Sequence, residues 1–144
     1  MTIDELLEQW KIDSKVDDLN VDLEGANVSK LHSKYIQLLS NARRSLHTLI
    51  FKRKTLFRNL REYYLGTASQ ELLKEMNREP FLQRVLKNEV MTYIDSDEEL
   101  IDLDFKIVVR QERVDVLTEI MKSINSRNYS LALIKDWKRL MLGG

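Results

Sequence analysis

The chain has no cysteine, one proline and four glycines among 144 residues. Without cysteine there is no disulfide and no thiolate metal site. With so little glycine, a phosphate-cradling loop has nowhere to form, and neither G-x-x-x-x-G-K-[ST], G-x-G-x-x-G nor G-x-S-x-G occurs. His32 and His47 are the only histidines, and neither stands with a second histidine or paired carboxylates at ligand spacing. No apolar run approaches the roughly 18 residues that cross a bilayer. The start, MTIDELLEQWK, is acidic and amphipathic, unlike the basic flank and apolar core of a signal peptide. These absences lead us to expect a non-enzymatic chain without cofactor or metal, in a reducing cytoplasm. Leu, Lys, Glu, Arg and Ile dominate what remains, a composition that suits long helices. The expected fold class is all-α, as one domain.

Formal net charge is zero, yet the charges fall in blocks. Met1 to Gly25 carries eight acids and two bases, whereas Ala26 to Tyr64 carries nine bases and one acid, Glu62. Met91 to Asp104 has six acids and no base, and Phe105 to Gly144 returns to eight bases against four acids. A strongly basic segment between two acidic ones speaks about partners rather than about fold.

The periodicity predicts a short helix over Ile3–Lys11, with Ile3, Leu6, Leu7 and Trp10 on one side. A polar stretch from Asp13 to Asn20 reads as a loop in which Asp17 or Asp18 can cap the next helix. Gly25 and Gly66 bound a segment free of proline and glycine, long enough for a helix of about 60 Å. Leu31, Tyr35, Leu38, Leu39, Ala42, Leu46, Leu49, Leu56, Phe57, Leu60, Tyr63 and Tyr64 share one apolar sector of it. Arg43, His47, Lys54, Arg58 and Arg61 form a stripe roughly opposite. Arg53 points into the apolar sector and Lys52 lies at its edge. For Arg53 two environments are open: snorkelling to solvent or pairing with an acid of the Asp102/Asp104 region, or facing ligand in a central lumen of an oligomer.

Gly66 ends this helix in a left-handed cap. Thr67-Ala68-Ser69-Gln70 offers a capping box for a short helix through about Asn77, which Pro80 stops. Phe81 to Ile94 is ambiguous between helix and strand. Ser96-Asp97-Glu98-Glu99 opens another helix to about Ile124. One apolar seam of it holds Leu100, Leu103, Ile107, Val114, Leu117 and Met121; the other holds Ile101, Phe105, Val109, Val116 and Ile120. A helix apolar on two sides is buried on two sides, which hints at subunit packing. SRNYS reads as a turn, followed by a last helix whose apolar face is Leu133, Ile134, Trp137, Leu140 and Met141. The organisation expected is thus 1–25 acidic, 26–66 basic helix, 67–95 connector, 96–125 two-seamed helix and 126–144 assembly helix. Assembly is expected through Leu117, Ile120, Met121, Leu133, Ile134, Trp137, Leu140 and Met141.

The acidic run from Asp95 to Asp104 is not a calcium loop, because Leu100 stands where glycine is needed and Lys106 where glutamate is. Acids in a first helical turn favour the dipole; a docking surface for a basic partner is the alternative. The basic stripe is either a solvated face or a seat for a polyanion. Solvated helices mix signs at i and i+4, and this one has a single acid, Glu62, among nine bases.

The run from Arg58 through Asn59, Leu60, Arg61, Glu62, Tyr63, Tyr64 and Leu65 to Gly66 resembles the signature of the UvsY recombination mediators of T-even-like phages. The tail, Ile124 to Tyr129 and then Ile134, Lys135 and Asp136, resembles that family's C-terminal stretch. Weaker similarity extends back through Asn27, Ser33, Lys34 and Tyr35 toward the N-terminal helix. Leu60 separates the two bases, so that they stand three apart at Arg58 and Arg61 rather than two apart as in the family. The resemblance implies a hexameric or heptameric, ring-like homo-oligomer in the cytoplasm of an infected bacterial host. It implies binding to single-stranded DNA, and loading of a RecA-like recombinase onto strands coated by the phage single-strand-binding protein. With the basic block it nominates Arg43, Arg44, Lys52, Arg53, Lys54, Arg58 and Arg61 as DNA contacts. The rival reading is a helical, coiled-coil adaptor that does not bind nucleic acid.

Overall fold

The computed structural model describes residues 1–15 and 21–143, with backbone alone for residues 21–24 and Asn128. Five helices and no strand occur among them: α1 (Ile3–Asp13), α2 (Val21–Tyr64), α3 (Gln70–Met76), α4 (Val90–Asp95) and α5 (Glu98–Met141). The fold is all-α, as composition and spacing lead one to expect. The residues sort into two compact units, Met1–Arg43 with Glu112–Gly144, and Arg44–Gln111.

In the first unit α1 opens on a capping box: the Glu5 N–H donates to Thr2 Oγ1, and the Thr2 N–H donates to the Glu5 carboxylate. Asp13, at the far end of α1, accepts from Lys34 Nζ at 2.6 Å and from the Tyr35 hydroxyl at 2.9 Å. Trp10 meets Tyr35 edge-on, with centroids 5.3 Å apart. The Arg127 guanidinium donates to the Ser14 carbonyl at 2.6 Å and stacks over Trp10. Leu6, Val28, Tyr35, Leu39, Leu117, Ile120 and Ile124 are all buried in this unit. The suggested cap at Asp17 or Asp18 lies outside the described residues.

The second unit centres on Leu60, Val90, Ile94 and Leu100, with Leu56, Phe57, Tyr64, Leu65, Met76 and Val85 packed against them. Gly66 stops α2 as expected. Its φ is 75°, and the Gly66 and Thr67 N–H groups return to the carbonyls of Tyr63 and Glu62. A Cβ there would meet nothing within 4 Å. Gly66→Ala is therefore a pure test of backbone strain, expected to cost about 1 kcal/mol in urea denaturation.

Three expected boundaries shift. The start of α2 is Val21, ahead of Gly25, since a glycine inside a helix costs only about 1 kcal/mol and a long apolar sector outweighs it. The short helix α3 is capped by Ser69 and ends at Asn77, which takes the left-handed conformation three residues before Pro80 can act. The turn expected at SRNYS does not exist, because α5 runs unbroken from Glu98 to Met141. Ser126 and Ser130 favour turns, but the stretch holds no glycine or proline to force one. Ile124 and Leu131, seven apart, are both buried and carry the core across it.

Candidate nucleic-acid interface

A cationic face is built on the part of α2 that belongs to the Arg44–Gln111 unit. The apolar sector turns Leu46 and Leu60 inward, and Leu49, Leu56, Phe57, Tyr63 and Tyr64 are partly buried. With that side committed, helical geometry leaves Arg44, His47, Lys54, Arg58 and Arg61 outside, and each is exposed. Among the described residues no carboxylate pairs with any of these five. Lys52 is exposed as well, round the helix at the edge of a groove. Arg43 is exposed too but belongs to the other unit.

Arg53 departs from the other nominated cations. Its Nε donates to Asp104 at 2.5 Å, and Nη2 lies 3.4 Å from the second carboxylate oxygen. That hydrogen bond raises its pKa further above the usual arginine value. Of the two environments open to it, the acidic pair is the one found. A guanidinium so engaged has little left to offer a phosphate, so Arg53 leaves the set of free cations.

One residue was missed. Phe51 is 61% exposed in the middle of the cationic face. Lys54 Nζ sits 5.6 Å from its ring centroid, and the His47 ring lies 6.4 Å away, tilted by 31°. Its spacing to His47, Lys54 and Arg58 (four before, three and seven after) was visible in the sequence. A phenylalanine near an apolar sector is ordinarily assigned to that sector, which hid it.

Behind this face the unit is tied by a polar clasp. Asp97 is 5% exposed and caps α5, accepting from the Glu99 N–H at 3.0 Å. Arg78, from the segment after α3, donates to both Asp97 oxygens at 2.8 and 3.0 Å, and to Glu99 at 2.9 Å. The Tyr64 hydroxyl donates to Asp97 at 2.6 Å. Burial would raise the Asp97 carboxyl, but the donors Arg78 and Tyr64 outweigh it and hold the group below its ordinary value. Burial, with the hydrogen bond to Asp97, pushes the Tyr64 hydroxyl up to about 12. Around the clasp Tyr63, Tyr64, Phe81 and Tyr93 stack in pairs with centroids 4.9 to 5.9 Å apart. The double tyrosine therefore packs and anchors. Three of the six acids between Asp95 and Asp104 are engaged with arginines: Asp97, Glu99 and Asp104.

The residues nominated for assembly divide. Leu117, Ile120 and Met121 are buried inside the first unit, at 1, 4 and 7% exposure, so their apolar surface is already used within the protomer. Here the chain's own packing covers a seam expected to meet a partner. Leu133, Ile134, Trp137, Leu140 and Met141 are exposed on the last turns of α5, with Trp137 at 64%. Of the second seam, Ile101 and Phe105 are exposed while Ile120 is buried.

Among the described residues no helix is long and apolar enough to cross a membrane, and no cluster of three or more His, Asp or Glu could hold a metal ion. The model of the family described as "Recombination, repair and ssDNA binding protein UvsY" matches residues 9–144. The recombination protein uvsY of enterobacteria phage T4 is 22% identical over 143 residues, covering 99% of each chain. A crystal structure of the bacteriophage T4 recombination mediator protein UvsY superposes with a TM-score of 0.82 at 22% identity, over 100% of this chain and 99% of that one. A second crystal form gives 0.81 at 21% identity, over 97% and 99%. At such identity the superpositions speak for the fold, and the family match carries the assignment. The chain belongs to the UvsY family of recombination, repair and single-stranded-DNA-binding proteins.

Proposed function

We propose that the chain is a recombination mediator whose strand-binding surface is the cationic face of α2, and that it works as a homo-oligomer in the infected bacterial host. The observation that carries this reading is the unpaired, exposed set Arg44, His47, Lys54, Arg58 and Arg61 on one side of a helix whose other side is core. Four permanent cations held along one face repel one another, and a polyphosphate relieves that repulsion while releasing condensed counterions. Phosphate contact carries no sequence information, which suits a protein that must bind any exposed strand.

Assembly enters through the exposed apolar end of α5. A patch holding Leu133, Trp137, Leu140 and Met141 in water is offset by burying it against another copy. Each copy then brings its own cationic face, and multivalency raises avidity by about 10²–10⁴ over one subunit without new contacts. A strand gripped at several points is bent or wrapped, which loosens the single-strand-binding protein and opens room for a RecA-like recombinase to nucleate. The T4 protein named a recombination mediator supports this finer reading.

The test pairs native mass with salt titration of affinity for a single strand. A steep log–log slope on an assembled oligomer is expected; no binding even at low salt would favour the adaptor instead. Lys54→Ala and Arg58→Ala should each weaken DNA binding several-fold with the oligomer intact, and monomers would mean that the stripe is an interface. Trp137→Ala should lower both native mass and apparent affinity. Unchanged mass would contradict the assembly role.

A further inference from the structure

Large side chains left in water call for an occupant, and Phe51 is unusual in its company. The exposed apolar residues at the end of α5 have one another for neighbours along the helix. Phe51 instead has Arg44 and Arg58 one heptad to either side, His47 one turn before and Lys54 one turn after, all exposed. A protein surface that covered this ring would also have to desolvate those cations, an expensive exchange without matching acids. A nucleotide asks for the opposite combination: phosphate wants cations, and a base wants an aromatic face to stack on.

The surroundings of the ring sort these two demands in space. The cations Lys54 and Arg58 lie on one side of Phe51. On the other a groove of about 870 Å³ opens, lined on the α2 side by Thr48, Thr55 and Asn59. The charged lining is mixed, Lys52 and Lys106 beside Glu75, Glu99 and Asp102, so the hydroxyls and the amide of the α2 side are what the groove offers to a base edge. The ring is also held ready, since the contacts with His47 and Lys54 already orient it.

We propose that Phe51 is a stacking platform for a nucleobase of bound single-stranded DNA, with the phosphates on Lys54 and Arg58 and the base edge toward the groove. This rests on reading the cationic face of α2 as the seat of the strand. It gives that face a contact that salt does not screen, so part of the affinity persists at ionic strengths that suppress the phosphate contacts.

The test uses the full chain, an oligothymidylate and an oligomer of the same length made entirely of abasic residues. Affinities of the wild type, Phe51→Leu and Phe51→Trp are measured at one salt concentration, with native mass and thermal melting alongside. Leucine keeps the ring's apolar character and approximate size but removes its π face. For Phe51→Leu we expect thymidylate affinity to fall by about fivefold or more, with abasic affinity, mass and melting unchanged. Phe51→Trp should bind thymidylate at least as tightly as the wild type. Equal affinity of Phe51→Leu and wild type for thymidylate would overturn the proposal, as would equal losses on both oligomers. A drop in native mass would assign the ring to a protein contact and overturn it too. Failure of the underlying reading shows separately, as abasic affinity indifferent to Lys54→Ala and Arg58→Ala.

Discussion

Asp97→Ala lowers the unfolding free energy of the chain by about 3 kcal/mol, as much as truncating a core leucine. The alanine removes three supports at once. It takes away the cap of α5, worth about 1 kcal/mol. It strands the Arg78 guanidinium, whose side chain is 20% exposed, without its main counter-charge, and breaking such a pair one-sidedly costs about 3–5 kcal/mol. The Tyr64 hydroxyl also loses its acceptor. Glu99 remains on Arg78 at 2.9 Å, and the three supports share one carboxylate, so the total stays near about 3 kcal/mol, below the sum of the separate losses. Asp97→Asn retains the cap acceptor and should lose less. Guanidinium denaturation of the three proteins at neutral pH measures this.

The same clasp sets a pH dependence with a definite sign. The Asp97 carboxyl is held below its ordinary 3.8, so its contribution is complete above that pH and fades as pH falls through the lower folded-state value. Tyr64 runs the other way: raised from 10 to about 12, it contributes fully below pH 10 and loses its contribution as pH climbs through 12. Wild type and Asp97→Ala should therefore differ most between these limits and converge in strong acid. A constant gap down to pH 2 would mean that the carboxylate charge is not what stabilises the clasp.

The second large effect falls on binding. Replacing Lys54, Arg58 and Arg61 together by alanine should reduce single-strand affinity by about 100-fold or more at low salt, since each lost phosphate contact removes released counterions and multivalency compounds the loss. All three side chains are exposed, so folding should be spared. Arg53→Ala provides the contrast. Its guanidinium is spent on Asp104, so its removal should change stability by about 1 kcal/mol and affinity little. Fluorescence anisotropy with a labelled oligomer separates the two variants.

Much of this arrangement was legible in the residues, and what was not has physical causes. The apolar sector of α2 and its opposed cations follow from helical periodicity, and Gly66 follows from the conformation that only glycine takes cheaply. The Arg53–Asp104 pair was legible only in part: the cost of a buried unpaired guanidinium asks for solvent or a counter-charge, and Asp102 or Asp104 was one of several ways to meet it. The clasp was not, because Arg78, Asp97 and Tyr64 come from three separate elements and no local pattern joins them. Asp97 reads as one acid among six at a helix start. The continuity of α5 through Ser126–Ser130 is hidden because local turn preference says nothing of Arg127 and its hold on Ser14. Leu117, Ile120 and Met121 point to a partner for a related reason: one sequence does not say which seam the chain itself covers.

Salt dependence is the most direct probe of whether the outward face of α2 grips the strand. Single-strand affinity is measured from low to moderate salt for the wild type and for the triple Lys54, Arg58, Arg61 alanine variant, both checked for equal native mass. If the three cations each hold a phosphate, the log–log slope becomes shallower by about 2 for every protomer that engages the strand, at roughly 0.7 per contact. Parallel lines of equal slope, with both proteins assembled, would place the strand on some other surface.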